Sequence, residues 1–294
     1  MNTILCLDSS PDCQLPAIQK LHEAAHSFSV IYVKNIEEAE ILLETDECIS
    51  IFLTTDIHPS ILRKRKREIH IILFSNIEFY KISMMYNESN NSCPLTVIPR
   101  NLPNLEPLLT SLHLITSNSE FDTKTFFSTH FQKQTFFLAG ATKEEICKEI
   151  EKTTDSILLS KFKAKMQASI AEELMMNAQK NHTEVTRSKL KISITCEYNQ
   201  DLILLSMTDP YGSLSSSVFL EYVMKHPEKS GQKFIESKKT GAGLGFYKMI
   251  RSCHGLICCV QPGIQTKITS LFFTKIPLLK IEKQPRLVQY FIKK

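Results

Sequence analysis

With 294 residues, 43% of them hydrophobic and 22% charged, the chain is long enough for two domains of ordinary size and apolar enough to bury a core in each. Its net charge of +4 is modest. No apolar run approaches the length of a membrane span, and the opening residues meet Asp8 too early for a secretion signal, so a soluble cytoplasmic protein is expected.

From the N-terminus, residues 3–7 form an apolar run, 15–25 have helical spacing, 28–33 are strand-like and 36–43 are helical again. Apolar runs at 49–53, 69–74 and 95–98 follow, separated by helix-length segments, and 105–115 closes the series. Five strands alternating with helices predict a doubly wound parallel sheet covered on both faces, an α/β module over residues 1–116. Within it, Arg63-Lys-Arg-Lys-Arg67 supplies much of the net charge. No aromatic residue interleaves this block as a base-stacking platform requires, so a solvated helix face is expected there and not a nucleic-acid contact. The nine cysteines include no paired Cys-x-x-Cys motif and sit mostly in apolar runs, which predicts reduced, buried thiols.

This first module resembles the receiver domain of response regulators, in which acids after the first and third strands bind Mg²⁺ and accept a phosphoryl group. Asp8 is a single acid where the resemblance implies a pair. After the third strand the chain reads Thr54-Thr55-Asp56-Ile-His-Pro59, which places Thr55 and not Asp56 four residues before the proline. The fifth strand ends Ile98-Pro99-Arg100 in place of Lys-Pro. Three departures at three chemical positions favour a pseudo-receiver that serves docking or homodimerisation over one phosphorylated at Asp56 or near Asp8.

A polar linker is expected over 117–130. Beyond it, residues 134–138 look like a strand and 142–151 like a helix with Thr142 as N-cap and acids in its first turn. The next helix carries Glu173-Leu-Met-Met-Asn177, whose two polar residues at i and i+4 share one face. An amide oxygen can complete the octahedral shell of a Mg²⁺ that holds phosphates, and a neighbouring carboxylate can orient or deprotonate a nucleophile. Taken alone, such a pair is more often a solvated helix edge.

Residues 202–208 read as a strand that ends at Asp209, before a Pro-Tyr-Gly212 turn. A carboxylate there can accept a hydrogen bond from the exocyclic amine of adenine, whereas guanine presents an acceptor, so ATP is expected over GTP. The plain alternative is an Asp that opens a turn. Residues 213–239, where Ser215, Ser216 and Ser217 give way to Lys229, Lys233, Lys238 and Lys239, form the expected lid. Gly241-Ala-Gly243-Leu244-Gly245 then precedes a helix over 246–253, a setting in which backbone N–H groups attract phosphate. Residues 266–273 are strand-like. The basic segment 281–294 carries apolar residues at Leu287, Val288, Tyr290, Phe291 and Ile292, and packing on a domain or recruiting a partner are both open to it.

In this order the three motifs resemble the GHKL, or histidine-kinase-like, ATPases over about residues 120–280. Glu173 to Asn177 matches the N box, Asp209 to Gly212 the first glycine box and Gly241 to Gly245 the second. Thr266 matches a threonine used near the adenine and its bound water. The resemblance implies a two-layer α/β sandwich over 131–280 that binds Mg²⁺ and ATP. Asn177 would hold the metal, Glu173 would act as base, and Asp209, Gly212, Gly241, Gly243, Leu244, Gly245 and Thr266 would surround the nucleotide. The family usually reads Asp-x-Gly-x-Gly where this chain has Asp209-Pro-Tyr-Gly212-Ser, with one residue added and one glycine lost.

The strand–helix–N-box order is closer to anti-sigma-factor serine kinases than to sensor kinases. A histidine acceptor is also missing, since His130 is followed by Phe-Gln and His22-Glu23 lies near the N-terminus. The implied function is phosphorylation of a Ser or Thr on a protein partner, a signalling regulator or sigma-factor antagonist. The alternative is an ATP-sensing module without turnover. A clamp of the gyrase B or MutL type would need a further transducer domain.

Overall fold

The computed structural model describes residues 2–7, 28–55, 69–88, 95–99, 106–116, 127, 130–179, 192–224, 244–276 and 285–293. Several expectations fall outside these residues: the helix over 15–25, Asp8, Asp56, Pro59, the block from Arg63 to Arg67, Arg100, most of the linker, the lid lysines, Gly241 and Gly243.

The first half comprises β1 (Asn2–Leu7), β2 (Phe28–Val33), α1 (Ile36–Thr45), β3 (Ile49–Thr54), β4 (His70–Phe74), α2 (Phe79–Glu88), β5 (Leu95–Ile98) and α3 (Glu106–Thr116). Its strands are all parallel and run in the order 2-1-3-4-5, one of the two common doubly wound orders. Parallel strands buried on both faces need unbroken apolar runs, and β3 supplies Ile51, Phe52 and Leu53 while β4 supplies Ile71, Ile72 and Leu73. Alternation sends Leu5, Phe52 and Leu73 against Leu43 of α1 and Ile82 of α2. It sends Ile4, Leu53 and Phe74 to the opposite face, against Leu108 and Leu112 of α3. Asn35 starts α1 by accepting the Glu38 N–H at 2.8 Å.

The second half comprises β6 (Gln132–Phe137), α4 (Lys143–Leu158), α5 (Lys161–Gln179), β7 (Ser193–Tyr198), β8 (Leu202–Asp209), α6 (Ser216–Val223), α7 (Leu244–Ser252), β9 (Gly255–Gln261), β10 (Gln265–Phe273) and β11 (Leu287–Ile292). Strands β6, β7, β8, β10 and β9 pair antiparallel in that order. Thr142 caps α4 as expected, in a reciprocal box: its hydroxyl accepts the Glu145 N–H at 3.2 Å while the Glu145 carboxylate accepts the Thr142 N–H at 2.8 Å. Ile146, Leu174, Phe219 and Met249 bring these four described helices onto one face of the sheet, against Ile194, Leu205 and Ile268. This half is therefore a helical layer on an antiparallel layer.

The halves join through the segment that the sequence left undecided. β11 pairs in parallel with β9 through six residues and antiparallel with β5 at Val288 and Val97. The result is one 11-stranded sheet, ordered 2-1-3-4-5-11-9-10-8-7-6. Alternation along β11 puts Val288 and Tyr290 into one apolar cluster and Leu287 and Phe291 into the other. Buried Gln289 donates through Nε2 to Ser111 Oγ of α3 at 2.6 Å. A Cβ at Gly255 would lie 2.6 Å from the Leu287 carbonyl oxygen, so the missing side chain is what lets β9 and β11 meet.

Among the described residues no helix is long and apolar enough to cross a membrane. The described cysteines are free thiols, and no group of three or more His, Cys, Asp or Glu is placed to hold a metal among the described residues.

Candidate functional site

Helix α5 buries Ala164, Ala171, Leu174, Met175 and Ala178, and small residues in that stripe let neighbouring backbones come close. Glu173 and Asn177 flank the stripe at its edge. The first turn of α7 lies directly over them: a Cβ at Gly245 would stand 2.6 Å from Glu173 Oε2, 3.0 Å from Asn177 Nδ2 and 3.4 Å from Asn177 Oδ1. Two of the motifs thus meet, about 70 residues apart in sequence and in contact in space. One turn further along α7, Lys248 Nζ lies 3.3 Å from Glu173 Oε1.

Asp209 is the last residue of β8 and stands opposite Thr266, the second residue of β10, in the antiparallel ladder. Both are buried, at 8% and 1% exposure. Asp209 Oδ1 accepts the Tyr211 N–H at 3.0 Å, which closes a local turn and holds the carboxylate at the strand end. Burial and then the charge of Asp209 push the Tyr211 hydroxyl above its usual pKa. The Cys258 thiol of β9 is raised well above its usual value, first by burial, then by Cys259 and Asp209.

Between these elements lies a cavity of about 190 Å³, with Asn177, Asp209 and Thr266 on its polar side and Leu214, Phe246 and Ile268 on its apolar side. That is smaller than the ~300–1,000 Å³ of pockets for drug-sized ligands, so it suits a single planar ring system more than a whole nucleotide. Phe246 is braced edge-on by Phe219, with ring centroids 5.7 Å apart, and stacks with Tyr222 at 6.2 Å. The Tyr290 hydroxyl of β11 donates to the Leu214 carbonyl at 2.6 Å, which ties the central strand to the cavity rim.

Among the described residues, two polar atoms on this lining are buried without a hydrogen-bond partner, Asn177 Nδ2 and Thr266 Oγ1. A buried group left unsatisfied costs about 1–3 kcal/mol, so a molecule that pairs with both would be stabilised in this cavity.

The remaining candidates sit as follows. Gly212 has φ +59°, and a Cβ there would collide with the Gln261 carbonyl and lie 2.8 Å from the Gly263 nitrogen. Its glycine is accounted for by packing on the β9–β10 turn, and it is absent from the cavity lining. Leu244 is the first residue of α7. The described part of the expected lid is a wall of the cavity: Ser213, Leu214 and Val218 line it, and Ser215 caps α6 by accepting the Val218 N–H at 3.3 Å. Sequence reasoning missed Phe246 and Lys248. Lys248 was within reach of it, because a residue three positions after Gly245 shares its helix face once α7 is placed.

No protein-family model matches the chain, and no curated protein matches it.

Proposed function

We propose that the cavity takes the adenine of ATP, that the phosphates leave it past Asn177, and that the protein is a signalling kinase of the GHKL type acting on a Ser or Thr of a protein partner. The observation that carries this reading is the pair of unsatisfied buried atoms, Asn177 Nδ2 and Thr266 Oγ1, beside the buried carboxylate of Asp209. Asp209 would accept the exocyclic amine, Thr266 would offer its hydroxyl to a ring nitrogen or a bridging water, and Phe246 and Ile268 would hold the ring faces.

A carboxamide oxygen suits a hard cation, so Asn177 is the residue to hold Mg²⁺, which when bound neutralises phosphate charge. Glu173, one turn away, would orient an attacking hydroxyl. Phosphoryl transfer depends mainly on such positioning and charge compensation, so few groups suffice.

ATP sensing without turnover is favoured by one contact: Lys248 engages the same carboxylate that would serve as base. Incubation with labelled ATP and candidate partners separates the two readings. Labelled partner supports the kinase, and binding without release or transfer of phosphate supports the sensor.

Calorimetry in Mg²⁺ buffer tests the site itself. The native chain is expected to bind ATP in preference to GTP, and Asn177→Ala is expected to weaken ATP binding by about 100-fold or more. Unchanged affinity in the variant would remove Asn177 from the site.

A further inference from the structure

We infer that Lys248 is the residue that distinguishes ATP from ADP, by exchanging the Glu173 carboxylate for the terminal phosphate. This rests on the nucleotide reading of the cavity and deepens it. Asn177 lines the cavity with Asp209 and Thr266, Glu173 lies four residues and so about 6 Å further along α5, and Lys248 reaches Glu173 from α7. With the base seated at Asp209, lengthening the phosphate chain carries it past Asn177 towards Glu173 and Lys248. The terminal group is the one that arrives there.

The present partner of Lys248 is easily surrendered. The lysine side chain is 66% exposed and its contact with Glu173 is 3.3 Å long, and an ion pair that exposed adds little to stability. A terminal phosphate presents more charge and more acceptor oxygens to the ammonium than one carboxylate does. The exchange also leaves Glu173 without its countercharge only when a triphosphate is bound. Lys248 would thus couple nucleotide state to the availability of the candidate base.

The test is calorimetric titration of the full chain with ATP and with ADP, each in Mg²⁺, for the native protein, Lys248→Met, Lys248→Arg and Glu173→Gln. Lys248→Met is expected to weaken ATP by about tenfold and ADP by less than about twofold, the size of one lost charge-assisted hydrogen bond. Lys248→Arg is expected to keep most of the ATP preference. Glu173→Gln, which removes the competitor, is expected to raise the ratio of ATP to ADP affinity. Equal losses for both nucleotides in Lys248→Met, or no loss for either, would overturn the assignment while the nucleotide site stands. A native protein that binds neither nucleotide would overturn both.

Discussion

Deletion of residues 285–294 is expected to leave no folded protein. In the sequence this is a short basic end; in the fold it is the sixth strand of eleven, with a neighbour on each side. Leu287, Val288, Tyr290 and Phe291 are each at most 6% exposed. At about 1.5–3 kcal/mol for each buried side chain of this size, their loss removes on the order of 6–12 kcal/mol, comparable to the ~5–15 kcal/mol that stabilises a whole domain. Area-based sums of this kind are upper values, yet half of it would be enough.

The deletion also strips the ladder from β9 and bares two interior strand edges, which favours aggregation. Soluble yield and thermal melting followed by circular dichroism check this. A truncated chain that melts cooperatively within a few degrees of the full one would show that β11 is not an integral strand.

Gly245→Ala is expected to have the opposite profile, an intact fold and a lost site. The added methyl would stand 2.6 Å from Glu173 Oε2, so something must move. That oxygen is the far end of a flexible side chain that is partly in solvent, and it can swing aside at small cost. Alanine also has a higher helix propensity than glycine, which partly offsets the displacement. Stability should therefore stay within about 1 kcal/mol of the native value.

The same methyl would press on the Asn177 carboxamide, 3.0 Å from Nδ2, and displace the group proposed to hold the metal and phosphates. ATP affinity should fall by at least about tenfold, the scale on which a misplaced positioning group acts. Melting and calorimetry on one preparation separate the two effects. A stable variant with native ATP affinity would place the phosphates elsewhere.

The parallel half was legible because both faces of its strands are covered. Ile51-Phe-Leu and Ile71-Ile-Leu are runs that only a doubly buried strand or a buried helix uses, and their short length decides for the strand. α4 was legible because its start is local chemistry, Thr142 with Glu145 three residues on. β7 was harder. Its Ser193-Ile-Thr-Cys-Glu-Tyr198 alternates polar and apolar residues, with Ile194 and Cys196 facing the helices, but six residues with small Ser, Thr and Cys side chains carry a weaker signal than the long apolar runs.

β11 could not be placed because strand order is not local. Nothing within Leu287–Ile292 announces that its neighbours are Gly255–Gln261 and Leu95–Ile98. The site divides in the same way. Glu173 and Asn177 share a face by helical spacing, which sequence shows, and the approach of Gly245 to both follows from packing, which it does not. Thr266 gains its meaning only from the register that sets it opposite Asp209. Gly212 was read as part of the nucleotide motif, while its left-handed backbone and the Gln261 carbonyl against it explain the glycine by the turn alone.

The most direct measurement is a crystal structure of the protein with Mg²⁺ and a non-hydrolysable ATP analogue. The predicted result is adenine in the cavity between Phe246 and Ile268, its amine on the Asp209 carboxylate, Thr266 Oγ1 and the Asn177 carboxamide both newly partnered, and the terminal phosphate at Lys248. A cavity closed by its own side chains, or an analogue bound away from Asp209 and Asn177, would contradict it.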